Sequence, residues 1–195
     1  GATHPVLQAC GPAAAFMDPS TTARTVTFTA AGVYGYHCMV HGTPDGMGMA
    51  WAEDGRLHVV KMMSKFGRFY RKYRKVRERG HGVMLHFRMA THGKRDFVNC
   101  HPFQVGVDVV MCHNGIFAGL GNDEISDTRE FVHILSGLDS PWWKSPSLEP
   151  LFRLATNGSK CVFLRADGDV WLLNEKDGHW ADGTWWSNHG YLPLM

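Results

Sequence analysis

The amino-acid sequence predicts an α+β protein in which mostly antiparallel sheets pack with a few helices. Two observations carry this prediction. Segments rich in alternating, β-branched or aromatic residues occur in pairs joined by short turns that contain glycine, as in antiparallel hairpins. Segments with apolar residues three and four positions apart, which is helical spacing, are fewer. With 195 residues, 44% hydrophobic and 19% charged, the chain has the composition of a globular protein that can bury a core.

Two hairpins are predicted in the first third of the chain. Residues 25–40 indicate the first, because an alternating stretch, a turn at Ala31-Gly32 and a stretch rich in β-branched and aromatic residues follow one another. Residues 47–61 indicate the second, because two apolar stretches flank Glu53-Asp54-Gly55, whose glycine suits a positive φ angle. Both features favour antiparallel pairing of neighbouring strands.

Three helices are predicted between and after these hairpins. The first covers 64–78, where the large apolar residues lie three and four apart and the arginines and lysines occupy the other face. These apolar residues are Phe66, Phe69, Tyr70, Tyr73 and Val76. A second helix begins at the capping residues Ser126-Asp127 and ends near Gly137, and a shorter third one covers 147–155.

Further strands are predicted at 83–89 and 107–112, where apolar and β-branched residues return. From Cys161 onward the sequence indicates a strand, a turn at Asp167-Gly168 and more strands up to Tyr191. Strands therefore outnumber helices, which favours antiparallel sheets covered by a few helices.

Basic charge is concentrated in one segment of the chain. The net charge is +2, yet residues 61–79 contain nine Lys or Arg and one Glu. A dense row of cations with tyrosines between them is able to bind nucleic acid, since cations neutralise phosphates and tyrosines stack on bases. The simpler interpretation is a surface helix whose outer face is charged. The sequence indicates no membrane partner, and it does not determine the oligomeric state.

Five cysteines lie far apart and include no CxxC pair: Cys10, Cys38, Cys100, Cys112 and Cys161. An odd number cannot close into a complete disulfide framework, which predicts a reducing, cytoplasmic setting. No apolar run is long enough to cross a bilayer, and no basic segment followed by an apolar stretch opens the sequence, so a soluble protein is expected. The twelve histidines do not fall into a zinc-binding spacing such as HExxH.

Residues suited to catalysis are densest in four stretches of the second half: HFRMATHG at 86–93, NCHPF at 99–103, MCHNGIF at 111–117 and SDTREF at 126–131. Arg88 ends an apolar strand, and a guanidinium binds a carboxylate through two hydrogen bonds. Asn114-Gly115 follows another strand and presents a side-chain amide and a backbone N–H, which stabilise an oxyanion. Asp127 would attract an ammonium group. Together these groups describe the recognition of an amino acid whose side-chain carbonyl is attacked.

Each of these residues also has a purely structural interpretation. Arg88 would pair with an acid inside the protein, Asp127 would only favour the start of its helix, and Asn114-Gly115 would form a type I′ turn. Singly, the structural and functional interpretations have similar weight. Their occurrence together and in this order favours a site.

The stretches RMATHG, CHNGIF and SDTREF, together with PDGMGMAW at 44–51, resemble the motifs of class II glutamine amidotransferases, which are N-terminal-nucleophile hydrolases. The ending NEKDGHWADGTWWSNHGYL is similar to that of a small phage and actinobacterial branch of this family. The resemblance covers 44–195 and implies αββα layers. It leaves 1–43 as an atypical N-terminal segment.

The resemblance also implies roles for the site residues. Arg88 would bind the carboxylate of a glutamine-like substrate and Asp127 its amino group. Asn114 and Gly115 would form the oxyanion hole, while Thr91 and His92 would shape the same pocket. The resemblance implies that the substrate would be a small amide, and no cofactor is expected.

The nucleophile of such enzymes is a cysteine at the first position of the mature chain, because its own α-amino group, with a pKa of about 8, acts as the general base. No cysteine stands first here. Cys10 is the best candidate, since a Cys-Gly start is typical of the family and Cys10 lies 35 residues before Asp45. Cleavage after Ala9 would remove residues 1–9 as a propeptide and expose it. The alternative is an ordinary buried cysteine.

A second resemblance concerns the first fifty residues, because GVYGYHCMVHG at 32–42 is similar to the copper loop of cupredoxins. A thiolate, two imidazoles and a thioether form such a copper site. The ligands would be His4, Cys38, His41 and Met47. A cupredoxin needs about seven strands or more, however, and only about three are predicted before the last of these residues.

Three functions therefore stand as hypotheses. The first is an amidohydrolase that cleaves a glutamine-like amide through a cysteine thioester. The second is a related protein without catalytic activity that binds an amino acid or a protein partner through the same fold. The third is a copper-binding electron carrier.

Overall fold

The computed structural model of the chain describes residues 6–10, 35–38, 45–138, 142 and 145–189, with only the backbone of 6–10 and 35–38. The chain divides into two compact units, one formed by 1–44 with 178–195 and the other by 45–177. The division into 1–43 and 44–195 proposed from the sequence stays a prediction. Among the described residues, no helix combines the length and the apolar character that crossing a bilayer requires.

The described residues form eleven strands and three α-helices, besides a short 3-10 helix at Glu175–Asp177. In chain order these are β1 (Val6–Cys10), β2 (Gly35–Cys38), β3 (Gly46–Glu53), β4 (Arg56–Met62), α1 (Phe66–Glu78), β5 (Met84–Arg88), β6 (Phe103–Gln104), β7 (Val109–Asn114), α2 (Asp127–Ser136), α3 (Glu149–Thr156), β8 (Lys160–Arg165), β9 (Val170–Leu173), β10 (His179–Ala181) and β11 (Thr184–Trp186). The strand pairs are antiparallel. The α+β class with antiparallel sheets, predicted from the sequence, is confirmed.

The unit formed by the two ends of the chain contains two short antiparallel pairs. Strand β1 pairs with β2, so that Val6 lies opposite Cys38 and Cys10 opposite Gly35. Strand β10 pairs with β11. Most of the hairpin predicted over 25–40 lies outside the described residues.

The first sheet of the 45–177 unit has the strand order β4-β3-β5. Strands β3 and β4 form the second predicted hairpin, with Glu53 paired with Arg56. The two residues between them, Asp54 and Gly55, have φ angles of 52° and 69°. Two consecutive positive φ angles are the signature of a type I′ turn, whose twist suits antiparallel strands. This hairpin prediction is confirmed.

Helix α1 covers the outer face of this sheet. Its apolar residues Phe69, Tyr73 and Val76 are buried, as the three-and-four spacing predicted. The Phe69 ring meets the ring of Phe87 on β5 edge-on, with their centres 6.0 Å apart. Because Phe87 is paired with Met47, the β3 residues that share its side of the sheet face the helix.

The second sheet has the order β6-β7-β8-β9, with helices α2 and α3 on its outer face. Its core contains residues of β7 and β8 together with residues of both helices, among them Met111, Phe163, Phe131 and Phe152. Ser126 is the N-cap of α2 and accepts a hydrogen bond from the backbone N–H of Arg129, and the helix ends before its C-cap Gly137, as predicted.

The inner faces of the two sheets pack against each other. Ala50 of β3 forms a buried cluster with Val110 of β7 and Leu164 of β8, and Met84 of β5 packs against it. The 45–177 unit therefore has a helix, two facing sheets and two further helices in succession. This order agrees with the αββα layers that the resemblance implies.

Candidate functional site

Two of the predicted site residues end strands on the inner faces of the two sheets. Side chains alternate along a strand, so Arg88, four residues beyond Met84, lies on the inner face of β5. By the same rule Asn114, four residues beyond Val110, lies on the inner face of β7. Both residues therefore project into the layer between the sheets.

The guanidinium of Arg88 is buried, with 3% of the residue exposed. Its Nη1 donates to the carbonyl of Lys94 and its Nη2 to the carbonyl of His92, each at 2.9 Å. Among the described residues, the partners of Arg88 are therefore two backbone carbonyls, whereas its structural interpretation had required an internal acid. A guanidinium has five N–H donors. These two bonds orient the group and leave donors for a ligand.

Thr91 and His92 lie on the loop that follows Arg88, and both residues are exposed. Asp45 anchors this loop, because its carboxylate accepts a hydrogen bond from the backbone N–H of Ala90 at 2.8 Å. The Nε of Arg95 lies 3.2 Å from the other oxygen of this carboxylate. Asp45 therefore positions the loop, a role that its place before Gly46 in the sequence did not reveal.

The same loop packs closely on the start of helix α2. Gly93 has a φ angle of 72°, and its N–H donates to the carbonyl of Asn122 at 2.9 Å. A Cβ at this position would lie 2.5 Å from the backbone nitrogen of Ser126, so only glycine fits. The loop after β5 and the N-terminus of α2 are thus brought together, and with them Arg88 and Asp127.

Asn99 is a second positioning residue that sequence reasoning missed. It is fully buried and its amide links both loops. The nitrogen donates to the carbonyl of Glu124 at 2.8 Å and to that of Lys94 at 3.3 Å, and the oxygen accepts the N–H of Ser126 at 2.9 Å. Three satisfied hydrogen bonds on a buried amide strongly favour one loop arrangement.

Asp127 is the first residue of helix α2 and is 5% exposed. Ser126 and not Asp127 is the N-cap, and Asp127 lies in the first turn, where a carboxylate favours the start of the helix. Its Oδ2 accepts the N–H of Phe117 at 2.8 Å, and its Oδ1 accepts the N–H of Thr128 at 2.7 Å and the Thr128 hydroxyl at 3.2 Å. A carboxylate has about four acceptor positions. One position on Oδ2 remains for a further donor.

Gly115 directly follows strand β7, whose last residue Asn114 is paired with Lys160. Its φ angle of 143° is far from that of a type I′ turn, and Asn114 belongs to the ladder, so the turn interpretation of this dipeptide is wrong. A Cβ on Gly115 would lie 2.3 Å from the Ser159 hydroxyl oxygen. Glycine is therefore required where the chain turns out of the sheet, two residues before Phe117 donates to Asp127.

Three histidines surround the ends of β5 and β7. The His86 ring stacks on the His101 ring with centres 3.9 Å apart, and the His113 ring stacks on Phe117 at 3.8 Å. The Nε2 of His86 donates to the carbonyl of His113 at 2.9 Å. Ring nitrogens of all three histidines are buried without a partner among the described residues. The sequence motifs indicated His92 as a pocket residue and gave no signal for this cluster of His86, His101 and His113.

Hydrogen bonds and burial keep these histidines neutral. The Thr128 hydroxyl donates its single proton to Asp127, so its oxygen accepts from His113 Nδ1 at 2.8 Å. Burial lowers the pKa of His86 to about 4, and burial also lowers the pKa of His113 to about 4, although Asp127 opposes this second effect. The pKa of His101 lies well below its usual value, again because of burial. All three rings are uncharged at neutral pH.

The cysteines of the 45–177 unit are core residues. Cys100, Cys112 and Cys161 are buried free thiols. Burial raises the pKa of each, most strongly for Cys112 and Cys161. A thiol with a raised pKa is a poor nucleophile. Cys10, the nucleophile proposed from the sequence, stays a prediction, because its side chain lies outside the described residues.

One of the four proposed copper ligands does not lie where a copper loop requires it. Met47, expected on a loop, is a residue of strand β3 and is 2% exposed. His4 and His41 lie outside the described residues, as does the side chain of Cys38. Within the described part of the chain, no three His, Cys, Asp or Glu side chains are arranged to hold a metal ion.

Comparison with known proteins gives one partial similarity. No family model matches the chain. Over 97 residues, which are 49% of this chain, it is 32% identical to a glutamine–fructose-6-phosphate aminotransferase (isomerizing) of Campylobacter jejuni subsp. jejuni. The match spans 16% of that protein's length. This partial match supports only the coarse statement that the chain is similar to a glutamine amidotransferase-like kind of protein.

Proposed function

We propose that this chain is a glutamine amidotransferase-like amidohydrolase that cleaves the side-chain amide of glutamine or of a related amino acid. One observation carries the proposal. Arg88, Asp127 and the Asn114-Gly115 pair lie around the same ends of two facing sheets, and hydrogen-bonded loops join them. A cation, an anion and an oxyanion-binding pair in one region match a free amino acid with a reactive carbonyl.

Each group has a role that its contacts permit. The donors of Arg88 that the loop carbonyls leave unused bind the substrate's α-carboxylate. The acceptor position left on Asp127 receives one N–H of the α-ammonium group. Thr91 and His92, exposed on the loop above, form the rim.

The proposed reaction uses Cys10 as the N-terminal nucleophile, after cleavage behind Ala9. The α-amino group of Cys10 takes the proton of its own thiol, and the thiolate attacks the side-chain carbonyl of the substrate. The backbone N–H of Gly115 and the amide of Asn114 stabilise the oxyanion. The α-ammonium group of Cys10 then returns the proton to the departing nitrogen of the substrate. Ammonia is released, and a thioester between Cys10 and the substrate remains. Water hydrolyses the thioester to the free acid and restores the thiol.

The similarity to glutamine–fructose-6-phosphate aminotransferase supports glutamine as the substrate, because that protein's name includes glutamine. It does not extend to the sugar phosphate. The match spans only 16% of that protein, and any acceptor of ammonia other than water is outside the proposal.

A binding module without catalytic activity is the second candidate, and one observation favours it. Cys10 is the last residue of strand β1, whose backbone pairs with β2. Removal of residues 1–9 would leave only Cys10 of this strand. If the chain keeps these residues, the amino-acid pocket remains but the cysteine has no free α-amino group to act as base.

The test is a glutaminase assay, read as ammonia and glutamate release, combined with the intact mass of the purified protein. We expect active protein to have lost residues 1–9. Cys10→Ala and Arg88→Ala abolish turnover, and Cys38→Ala leaves it unchanged. Turnover by protein that retains residues 1–9 would contradict the role of Cys10.

Calorimetric titration with glutamine separates the two candidates. Binding without turnover, lost in Arg88→Ala, supports the binding module. Arg88→Lys is the matched control, since it keeps the charge but loses the two-pronged geometry. We expect it to recover little of the affinity, whereas full recovery would indicate that the carboxylate is not bound bidentately.

A further inference from the structure

Helix α1 contains a row of cations that the proposed amidohydrolase site does not use. It carries six Lys or Arg within Phe66–Glu78. Four of them, at positions 68, 71, 72 and 75, follow the three, four and seven spacing of one helix face, and all four are exposed. We call Arg68, Arg71, Lys72 and Lys75 the basic stripe.

Three other cations of this segment already have partners. Arg74 forms an ion pair with Glu78 at 2.9 Å, and Arg79 forms one with Glu53 at 3.1 Å. Arg77 donates to the carbonyl of His81 at 2.8 Å. Among the described residues, the basic stripe has no acidic partner. Its four charges are therefore available to a ligand.

An open groove with a volume of about 450 Å³ runs beside the basic stripe. Lys72, Lys75 and Arg79 lie along it, together with Glu78. Trp51 and Val76, which also line it, are almost fully buried and give it an apolar floor. Cations along an apolar groove suit an anionic chain that also has flat apolar groups.

The geometry favours a nucleic-acid strand over a lipid surface. An interfacial helix inserts its apolar face into the membrane, but the apolar face of α1 is buried against the first sheet. The stripe extends about 10 Å along the helix axis, at about 1.5 Å per residue. Phosphates of one strand rise about 3.4 Å each, so about three to four phosphates fit this length.

We propose that the basic stripe of α1 binds the phosphodiester backbone of a nucleic acid. Arginine and lysine neutralise successive phosphates, and the guanidinium groups of Arg68 and Arg71 hold theirs through paired hydrogen bonds. The contact is with the backbone and is independent of base sequence. This surface is separate from the amide-binding residues and does not depend on their activity.

The test is the fluorescence anisotropy of a labelled 20-nucleotide single-stranded RNA and of a 20-base-pair duplex DNA, titrated with the full chain between 50 and 200 mM salt. Four neutralised phosphates predict a slope of log K against log salt of about −3 for the single strand and about −3.6 for the duplex. The tighter ligand identifies the kind of strand. Anionic phospholipid vesicles serve as the competing surface.

A matched pair of variants tests the stripe itself. Arg68→Gln with Arg71→Gln removes two charges from the stripe. Arg74→Gln with Arg77→Gln removes two charges at the same spacing from residues that already have partners. We expect the first pair to weaken binding at least tenfold at 100 mM salt and to lower the slope by about 1.4 to 1.8, and the second to change affinity less than twofold.

Three outcomes would overturn the proposal. One is equal weakening by the two variant pairs, which indicates general attraction to a basic protein. Another is no binding to either nucleic acid at 50 mM salt. The third is tighter binding to the vesicles than to both nucleic acids. Circular dichroism melting of each variant shows that the helix still folds, so a lost signal is attributable to the removed charges.

Discussion

His86 Nε2 donates to the backbone carbonyl of His113 at 2.9 Å, and this bond ties the first sheet to the second beside the candidate site. Arg88 lies two residues beyond His86 on β5, and Asn114 lies one residue beyond His113 on β7. The bond therefore sets the separation of two groups that we propose to bind opposite ends of one substrate.

Replacement of His86 by phenylalanine leaves the His113 carbonyl without this donor. We expect a loss of about 1 to 3 kcal/mol in the free energy of unfolding, because a buried acceptor loses its partner. Glutamine places a donor nitrogen at a similar reach, so His86→Gln should lose less. Urea unfolding measures both variants. Equal losses would indicate that ring packing against His101, rather than the hydrogen bond, is what matters.

The buried histidines predict that stability falls in mild acid. In the unfolded chain a histidine takes up a proton near pH 6.5, whereas folded His86 and His113 do so only at about 4. Unfolding therefore takes up protons between these values. Stability is complete above about pH 6.5 and falls as the pH drops toward 4, by about 1.4 kcal/mol per pH unit for each histidine.

Unfolding free energies measured from pH 7.5 to 4.5 test this dependence. The lowered pKa of the Glu53 carboxyl matters only below 4.5, so this window reports the histidines. His101→Phe, which removes one of them, should reduce the slope by about one third. A flat profile between pH 7 and 5 would contradict neutral, buried rings.

Gly48 is predicted to tolerate no side chain. A Cβ there would lie 1.8 Å from the backbone carbonyl oxygen of His101 and 2.7 Å from Pro102 Cδ. Backbone cannot move aside as a flexible side chain does, so Gly48→Ala should destabilise the protein by about 3 kcal/mol or more. Gly82→Ala is the matched control, because a Cβ at Gly82 meets nothing within 4 Å. Thermal melting compares them, and similar melting temperatures would refute the close packing.

Asp127→Asn should weaken glutamine binding by roughly 100-fold, because it removes the anion that we propose binds the substrate ammonium group. Asp123→Asn, an exposed carboxylate four residues earlier, is the control and should leave the affinity unchanged. Asparagine also places an NH₂ group near the N–H of Phe117 or Thr128, so the unfolding free energy of the variant must be measured as well. Unchanged glutamine affinity in folded Asp127→Asn would exclude this residue from the binding site.

Part of this fold could be read directly from the sequence. The hairpin turn at Asp54-Gly55 and the start of α2 at Ser126 depend on a few neighbouring residues, and the buried stripe of α1 depends on spacing alone. Such local preferences act wherever the chain goes. The residue types of the candidate site were recognisable for the same reason, since Arg88, Asn114 and Asp127 stand in short, ordered motifs.

Only the tertiary structure decided which groups these residues meet. Arg88 turns two of its donors to the carbonyls of His92 and Lys94, and Asp45 and Asn99 hold the loop in place. All of these bonds use backbone atoms, which every residue type carries alike, and those of Asp45 and Asn99 join residues distant in sequence. The sequence by itself determined the elements and the chemical groups of the site, whereas the loop path and the packing of the sheets determined their partners and their burial.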